Sequence, residues 1–295
     1  MNRQIAFATQ HTQPKITADD VLAAAALAKF GIDVIGVPWD EAGIDWAGFE
    51  AVVLRSCWNY IHHPREFVSW IEMLERKGVW LVNDFQTVRW NMEKTYLKEL
   101  VDAGVEVVPT VYTPQGSSIS IGEVLKQYGW ARAVIKPTIS GTALHTWVSS
   151  TGSLKEDQRQ LDTLLGKRSM MLQKYLSEVE TDGEWSLIYF HGQYSHAVIK
   201  VPREGDFRVQ NDFGGSEQPM NPELSIRRRA EEILRVRGRD SVYARVDGVM
   251  HEGRFLLMEL ELIEPVLFLG SNPGAAERFA VAIEKNVQAR MANEE

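Results

Sequence analysis

Tyr243–Pro265, YARVDGVMHEGRFLLMELELIEP, predicts a β-hairpin. Apolar and β-branched residues fill both arms, and His251-Glu252-Gly253 supplies the turn. Acids sit inside these arms at Asp247, Glu259 and Glu261. A charged carboxylate is too costly to bury alone, so acids in a core strand need a cation, a base or a cleft. Residues two apart on a strand share a face, so Glu259 and Glu261 project together, and the turn brings Asp247 across from them. With Arg245, three carboxylates on one face make a hard-cation site of the kind that holds magnesium against phosphates. The competing reading is a solvated face of acids paired with Arg245 and Arg254. It suits Glu259 or Glu261 alone better than the whole set, which is flanked by FLLM and LIEPVLFL.

The rest of the chain narrows the setting. Its 295 residues suit two or three lobes, and 44% hydrophobic content is enough to give each a core. A net charge of −8 argues against a general nucleic-acid binder. The run RRRAEEILRVRGR from Arg227 reads as a helix face with acid–base pairs four apart. One cysteine, Cys57, excludes an internal disulfide and suits a reducing cytoplasm. The first ten residues lack the apolar core of a signal peptide, and no run reaches membrane-span length.

In chain order, QIAFAT, IDVIGV, AVVLRS and VWLVN read as strands. Helices from Thr17 to about Phe30 and from Pro64 to about Lys77 separate them. This alternation predicts a parallel α/β lobe, with ligands outside the carboxyl ends of its strands. Arg55-Ser56-Cys57-Trp58-Asn59-Tyr60 lies at one such end. Arg55, Ser56, Trp58 and Tyr60 offer a guanidinium, hydroxyls and ring faces suited to a carboxylate or an amine. The alternative is that Trp58 and Tyr60 pack against the next lobe. A helix is expected from Arg89 to near Gly104, with Lys94 on it. A strand then delivers Lys136 from AVIK to a polar loop with Ser140, Gly141 and Thr142, an arrangement suited to phosphate. Met170–Tyr175 reads as an exposed strand edge able to pair its backbone with an adenine, with Glu180 placed for ribose hydroxyls. EWSLIYF and QYSHAVIKVP predict a second hairpin, and the long loop Arg203–Gly215 after it has the length of a functional loop.

This order of features resembles the ATP-grasp superfamily over nearly the whole chain. The loop GDFRVQNDFGG is similar to that of glutathione synthetases and ribosomal-protein glutamate ligases, and Arg245-Val246-Asp247 to the R-x-D of D-alanine–D-alanine ligases. RSCWNY, RWNMEKTYL, DGEWSL, YSHAV and MELELIEPVLFL together resemble the D-cycloserine ligase branch. The resemblance implies an ATP-grasp fold with three parts. These are an N-terminal parallel α/β pre-ATP-grasp domain (1–92), a central lobe (93–176) and a C-terminal lobe with the metal site (177–295). It implies that Lys94 and Lys136 hold ATP phosphates, with Ser140 and Gly141 in the phosphate loop. Gln173, Lys174, Tyr175 and Leu176 would meet the adenine, and Glu180 the ribose. Asp247, Glu259 and Glu261 would bind magnesium, two ions being expected and manganese an alternative. Arg245 and Arg208 would stabilise transferring and acyl-phosphate groups, and Gly214 and Gly215 would offer amides to an oxyanion. Glu261 stands where the superfamily commonly has asparagine, and the loop after Lys136 has one glycine where relatives have several.

The implied activity is an ADP-forming carboxylate–amine ligase working through an acyl-phosphate on a small amino-acid-derived substrate, with ring closure as in D-cycloserine formation. Alternatives are a ligase adding an amino acid to a peptide or protein, a carboxylate kinase, and a non-catalytic nucleotide-binding regulator. The expected partners are a small-molecule carboxylate and amine, with no nucleic acid and no membrane. A homodimer through the first lobe is compatible with the sequence.

Overall fold

The alternation of the first eighty residues builds one parallel sheet. The structure is a computed structural model and describes residues 3–203, 206, 208, 209 and 214–294. The first lobe comprises β1 (Arg3–Thr9), α1 (Ala18–Ala28), β2 (Ile32–Pro38), β3 (Ala51–Leu54), α2 (Pro64–Arg76) and β4 (Leu81–Val82). The strand order is β2-β1-β3-β4 and every pair is parallel. Thr17 caps α1 by accepting the Asp20 amide. Strand periodicity divides the core: Ile5 and Phe7 face α1, whereas Ala6 and Ala8 share a cluster with Trp46, Phe67 and Trp70.

The next segment departs from expectation. The helix predicted from Arg89 is broken, because α3 (Phe85–Asn91) stops before Met92 and α4 (Tyr96–Asp102) begins after Thr95. Tertiary hydrogen bonds outweigh helix propensity here. The Asn91 side chain donates to Leu260 O and accepts from Leu262 N, both at 2.8 Å, and Lys94 N–H donates to Thr138 O at 2.8 Å. The lobe continues with β5 (Thr110–Thr113), α5 (Ile121–Tyr128), β6 (Arg132–Pro137), β7 (Trp147–Ser150), α6 (Leu154–Leu165) and β8 (Met170–Lys174). Its sheet order is β5-β8-β6-β7. A separate cluster under α5 and α6, including Ile121, Leu161 and Leu172, forms its core. So β8 is an interior strand, not the exposed edge the sequence suggested. The Lys174 amide donates to Pro109 O and the Tyr175 amide to Arg132 O, which leaves the Tyr175 N–H committed to the sheet.

The third part carries α7 (Glu178–Thr181), β9 (Glu184–Phe190), β10 (Gln193–Val201), β11 (Ser216–Pro219), α8 (Leu224–Val236), β12 (Tyr243–His251), β13 (Arg254–Glu261) and α9 (Ala275–Glu294). The sheet runs β11-β10-β9-β12-β13. The predicted hairpin is β12 with β13, and its register sets Arg245 opposite Glu261 and Asp247 opposite Glu259. One face packs on α4 and α8 through Tyr96, Leu100, Ile233 and Leu260. The other joins the first lobe, since Ile188, Phe190, Val198 and Phe279 share a core with Ile5 and Phe7. No helix among the described residues is long and apolar enough to cross a membrane.

The hairpin register slips immediately after Asp247, at Gly248, where a side chain has no room: a Cβ would lie 2.6 Å from Leu256 O and against the Phe255 ring. Gly248→Ala should therefore cost about 1–3 kcal/mol, visible as a lowered thermal midpoint. An unchanged midpoint would mean that the strand relaxes around the methyl group.

Candidate active site

A cavity of about 480 Å³ opens where the three parts meet, within the usual range for a ligand pocket. Its chemistry begins on β12. Arg245 Nε–H donates to Asp247 Oδ1 at 3.0 Å and Nη2 to Oδ2 at 2.8 Å. The Arg245 Nη2 also reaches Glu261 at 2.5 Å, and Nη1 donates to Val266 O at 3.0 Å. Asp247 accepts from the Ser186 hydroxyl at 2.5 Å, with Lys200 Nζ 3.7 Å away and itself paired to Glu184 at 2.5 Å. The break between α3 and α4 turns Lys94 inward. Its ammonium bonds Glu259 at 2.8 Å and Ser140 O at 2.6 Å. Lys136 lines the cavity from the end of β6.

Burial and pairing compete at each acid. Burial raises the Asp247 carboxyl, but Arg245 and Lys200 outweigh it and hold the group below the usual range. For Glu259, Lys94 and Lys136 likewise outweigh burial. At Glu261 burial wins over Arg245, with Asp247 and Glu259 adding repulsion, and the carboxyl is pushed up to about 8. Glu264 is pushed up to about 7 by burial, even though Tyr60 hydrogen-bonds it. Burial also lowers the Lys136 ammonium.

The other end of the cavity is apolar. Val108, Leu176, Val179 and Met258 form a slot there, part of a small cluster of its own. Gln173 is buried and donates to the Thr110 hydroxyl at 3.1 Å, so its amide is held by the sheet. Lys174 Nζ lies 3.3 Å from His251 Nε2 at the rim, and Tyr175 also lines the wall.

The structure therefore brings most of the predicted residues together. Lys94, Lys136, Ser140 and Gly141 line the cavity, as do Gln173 to Leu176, Arg208, and Arg245 with the three acids. Arg208 is paired with Asp206 at 2.7 Å. Trp58 and Tyr60 line it as well. Beyond Gly141, Thr142 and Ala143 take left-handed φ of 47° and 55°, a strained backbone in place of extra glycines.

Several predicted residues lie elsewhere. Arg55 is buried and ion-paired to Asp20 at 2.7 Å, and its Nη1 donates to Pro265 O at 3.1 Å, so it pins two lobes and does not face the cavity. Ser56 is fully buried behind it. Glu180 is exposed on α7, where its neighbour Val179 reaches the cavity instead. Gly214 and Gly215 precede β11 and do not line the cavity, although Glu217 of that strand does, and Gly205, Phe207 and Gln210–Phe213 of the same loop fall outside the described residues.

Glu184, Ser186, Lys200 and Glu264 went unassigned in the sequence. The first three carried a signal: Glu184 and Ser186 are two apart on β9, opposite Lys200 and Asp247 respectively. Among the described residues no three acidic, histidine or cysteine side chains close on a common point. The carboxylate oxygens of Asp247 and Glu259 are nonetheless suitable ligands for a hard cation and face each other in register.

A sequence-family profile described as the N-terminal domain of D-cycloserine synthetase DcsG matches residues 5–83. The chain is 29% identical over 281 residues to the cycloserine biosynthesis protein DcsG of Streptomyces lavendulae, covering 89% of this chain and 92% of that protein. The crystal structure of D-cycloserine synthetase DcsG superposes with a TM-score of 0.88 at 29% identity, over 96% of this chain and 99% of that one. The chain has the ATP-grasp fold. The ATP-grasp fold is shared more distantly with the ATP complex of D-alanine–D-alanine ligase from Bacillus anthracis. There the TM-score is 0.70 at 16% identity, over 99% and 100% of the two chains.

Two outcomes follow from the site. Arg55→Met strands the buried Asp20 carboxylate and should destabilise by about 3–5 kcal/mol in denaturant titration, while ADP affinity stays unchanged. A loss of substrate-dependent ADP release at full stability would return Arg55 to the substrate pocket. The second concerns pH. The raised carboxyls of Glu261 and Glu264 keep protons in the folded state that the unfolded chain has released. Their contribution to stability is present in acid and is lost as pH rises through about 7 to 8. Glu264→Gln should flatten the decline of the thermal midpoint between about pH 5 and 8. An unaltered slope would place the proton uptake elsewhere.

Proposed function

We propose that the chain is an ADP-forming carboxylate–amine ligase that closes the ring of a small amino-acid derivative, as its relative's role in cycloserine biosynthesis suggests. The observation that carries the reading is one cavity in which Lys94, Lys136 and Arg245 meet Asp247 and Glu259. The apolar slot of Val108, Leu176, Val179 and Met258 accepts the adenine, and the lysines hold the phosphates. Asp247 and Glu259 would hold magnesium, two ions in this reading, and magnesium would supply neutralisation of charge as the γ-phosphoryl group transfers. Glu261 completes the acid set.

The residues then account for the reaction in order. Lys94 exchanges its ion pair with Glu259 for phosphate oxygens, and Lys136 in the same cavity wall joins it. The substrate carboxylate takes the γ-phosphoryl group and becomes an acyl-phosphate with a good leaving group. Arg245, fixed on both sides by Asp247 and Glu261, is aimed at the charge on that group, and Arg208 approaches from the loop. A nitrogen of the same molecule attacks, phosphate leaves, and the guanidinium stabilises the oxyanion, an effect on the order of 10²–10³ in rate per donor. The central lobe, with its own core, is the part able to close over the site and exclude water.

Asp247→Asn and Glu259→Gln should each lower substrate-dependent ADP release by at least about a hundredfold with an unchanged circular dichroism spectrum. Glu261→Asn should retain measurable turnover. Mass spectrometry separates the chemistries, since ring closure joins no second substrate and peptide ligation adds one. Near-normal ADP release in either of the first two variants would remove the metal assignment.

A further inference from the structure

Glu264 is an acid in the cavity wall that the fold leaves without a cation. Asp247 and Glu261 are bonded to Arg245, Glu259 to Lys94, and Glu184 to Lys200. Glu264 makes no ion pair among the described residues, and its carboxylate accepts a hydrogen bond from the Tyr60 hydroxyl. Its backbone is fixed, because Trp58 Nε1–H donates to Glu264 O at 3.2 Å and Arg55 holds the next carbonyl, Pro265 O, at 3.1 Å. The side chain is thus presented by a rigid segment.

Its surroundings select for positive charge. Trp58 and Tyr60, on the short 3-10 turn Trp58–Ile61, line the same cavity as Glu264 and Phe268. A carboxylate beside aromatic rings is the composition of an ammonium site: the acid supplies charge and hydrogen-bond acceptors, and ring faces supply cation–π attraction. Arg55, the guanidinium that would reverse the sign, is turned away onto Asp20. Glu264 lines the cavity together with Lys94, Glu259 and Arg245.

We propose that Glu264, with Tyr60 and Trp58, binds a primary amine of the substrate as its ammonium, next to the carboxylate that becomes phosphorylated. The assignment rests on the ligase reading and adds the residues that recognise the free amine of the substrate. Two functions then divide between two strand ends: β12 and β13 handle the activated carboxylate, and the segment after β3 meets the one after β13 around the amine. A fixed carboxylate orients a small substrate by one point, and Arg245 with Arg208 supply the second.

The test is titration calorimetry of the full chain with MgADP present, using two probes. D-cycloserine carries a primary amine on its ring, and isoxazolidin-3-one is the same ring without it. D-cycloserine should bind the wild type, and Glu264→Gln should weaken it about ten- to a hundredfold, the loss of one charge-assisted bond. Isoxazolidin-3-one should bind both proteins equally, and more weakly than D-cycloserine binds the wild type. MgADP affinity should be the same in both proteins, which reports an intact fold. D-cycloserine affinity within twofold in Glu264→Gln would overturn the assignment and leave the ligase reading standing. Equal affinity of the two probes for the wild type would overturn it without recourse to any variant. A wild type that binds MgADP but not D-cycloserine would remove the ring-closing reading and this assignment together.

Discussion

Two residues two apart on one strand, Arg245 and Asp247, carry the constraint on which the site depends. A buried charge is tolerated only when it is paired and hydrogen-bonded, and each of these is buried. Arg245 spends its donors on Asp247, on Glu261 across the hairpin and on Val266 O beyond it. Its guanidinium also lies 5.7 Å from the Phe268 ring, whose residue takes a left-handed φ of 50°. One side chain therefore ties β12 to β13 and to the segment that follows. Ser186 and Lys200 hold Asp247 from the other side. The acids do not move to meet a ligand, because their positions are fixed by cations of the same protein.

That arrangement makes binding an exchange of partners. Lys94 with Glu259, Lys200 with Glu184 and Arg245 with Asp247 are mutually neutralising sets. A magnesium triphosphate carries both signs and satisfies lysines and acids at once. Neither a free metal nor a metal-free triphosphate does so, since each would strand one half of every pair. Glu261 is the acid for which this balance is poorest, as its raised carboxyl shows. An asparagine at that position would be neutral. The glutamate adds charge that must be offset by Arg245 or by a ligand cation.

How much of this was legible in the sequence follows from the range of the interactions. The hairpin and its three acids were readable because a period of two and a short turn, which the structure confines to Glu252 and Gly253, fix which side chains face together. The parallel first lobe was readable from alternation and helix stops. Lys94 was placed by resemblance alone, because the helix that should have carried it is broken by bonds to residues far along the chain, Leu260 among them. Arg55 was misread for the same reason. A strand end suggests a ligand, whereas its partner Asp20 lies on another element. The interior position of β8 depends on β5 and β6, which local pattern does not order. Glu264 had no local mark at all, being one acid after a strand, and it gains meaning only from Tyr60 and from the absence of a paired cation among the described residues.

The last helix has a consequence for how the chain is made. Ala275, Phe279, Ile283 and Val287 of α9 lie in the same cluster as Ile5, Phe7 and Leu27. The face of β1 that carries Ile5 and Phe7 is therefore completed only when α9 docks beside α1. Domains usually fold in the order of synthesis. Here the central lobe, with a core of residues close in sequence, is able to finish first, while the first lobe waits for α9. Strand β1 and helix α9, far apart in sequence, are fastened to each other last.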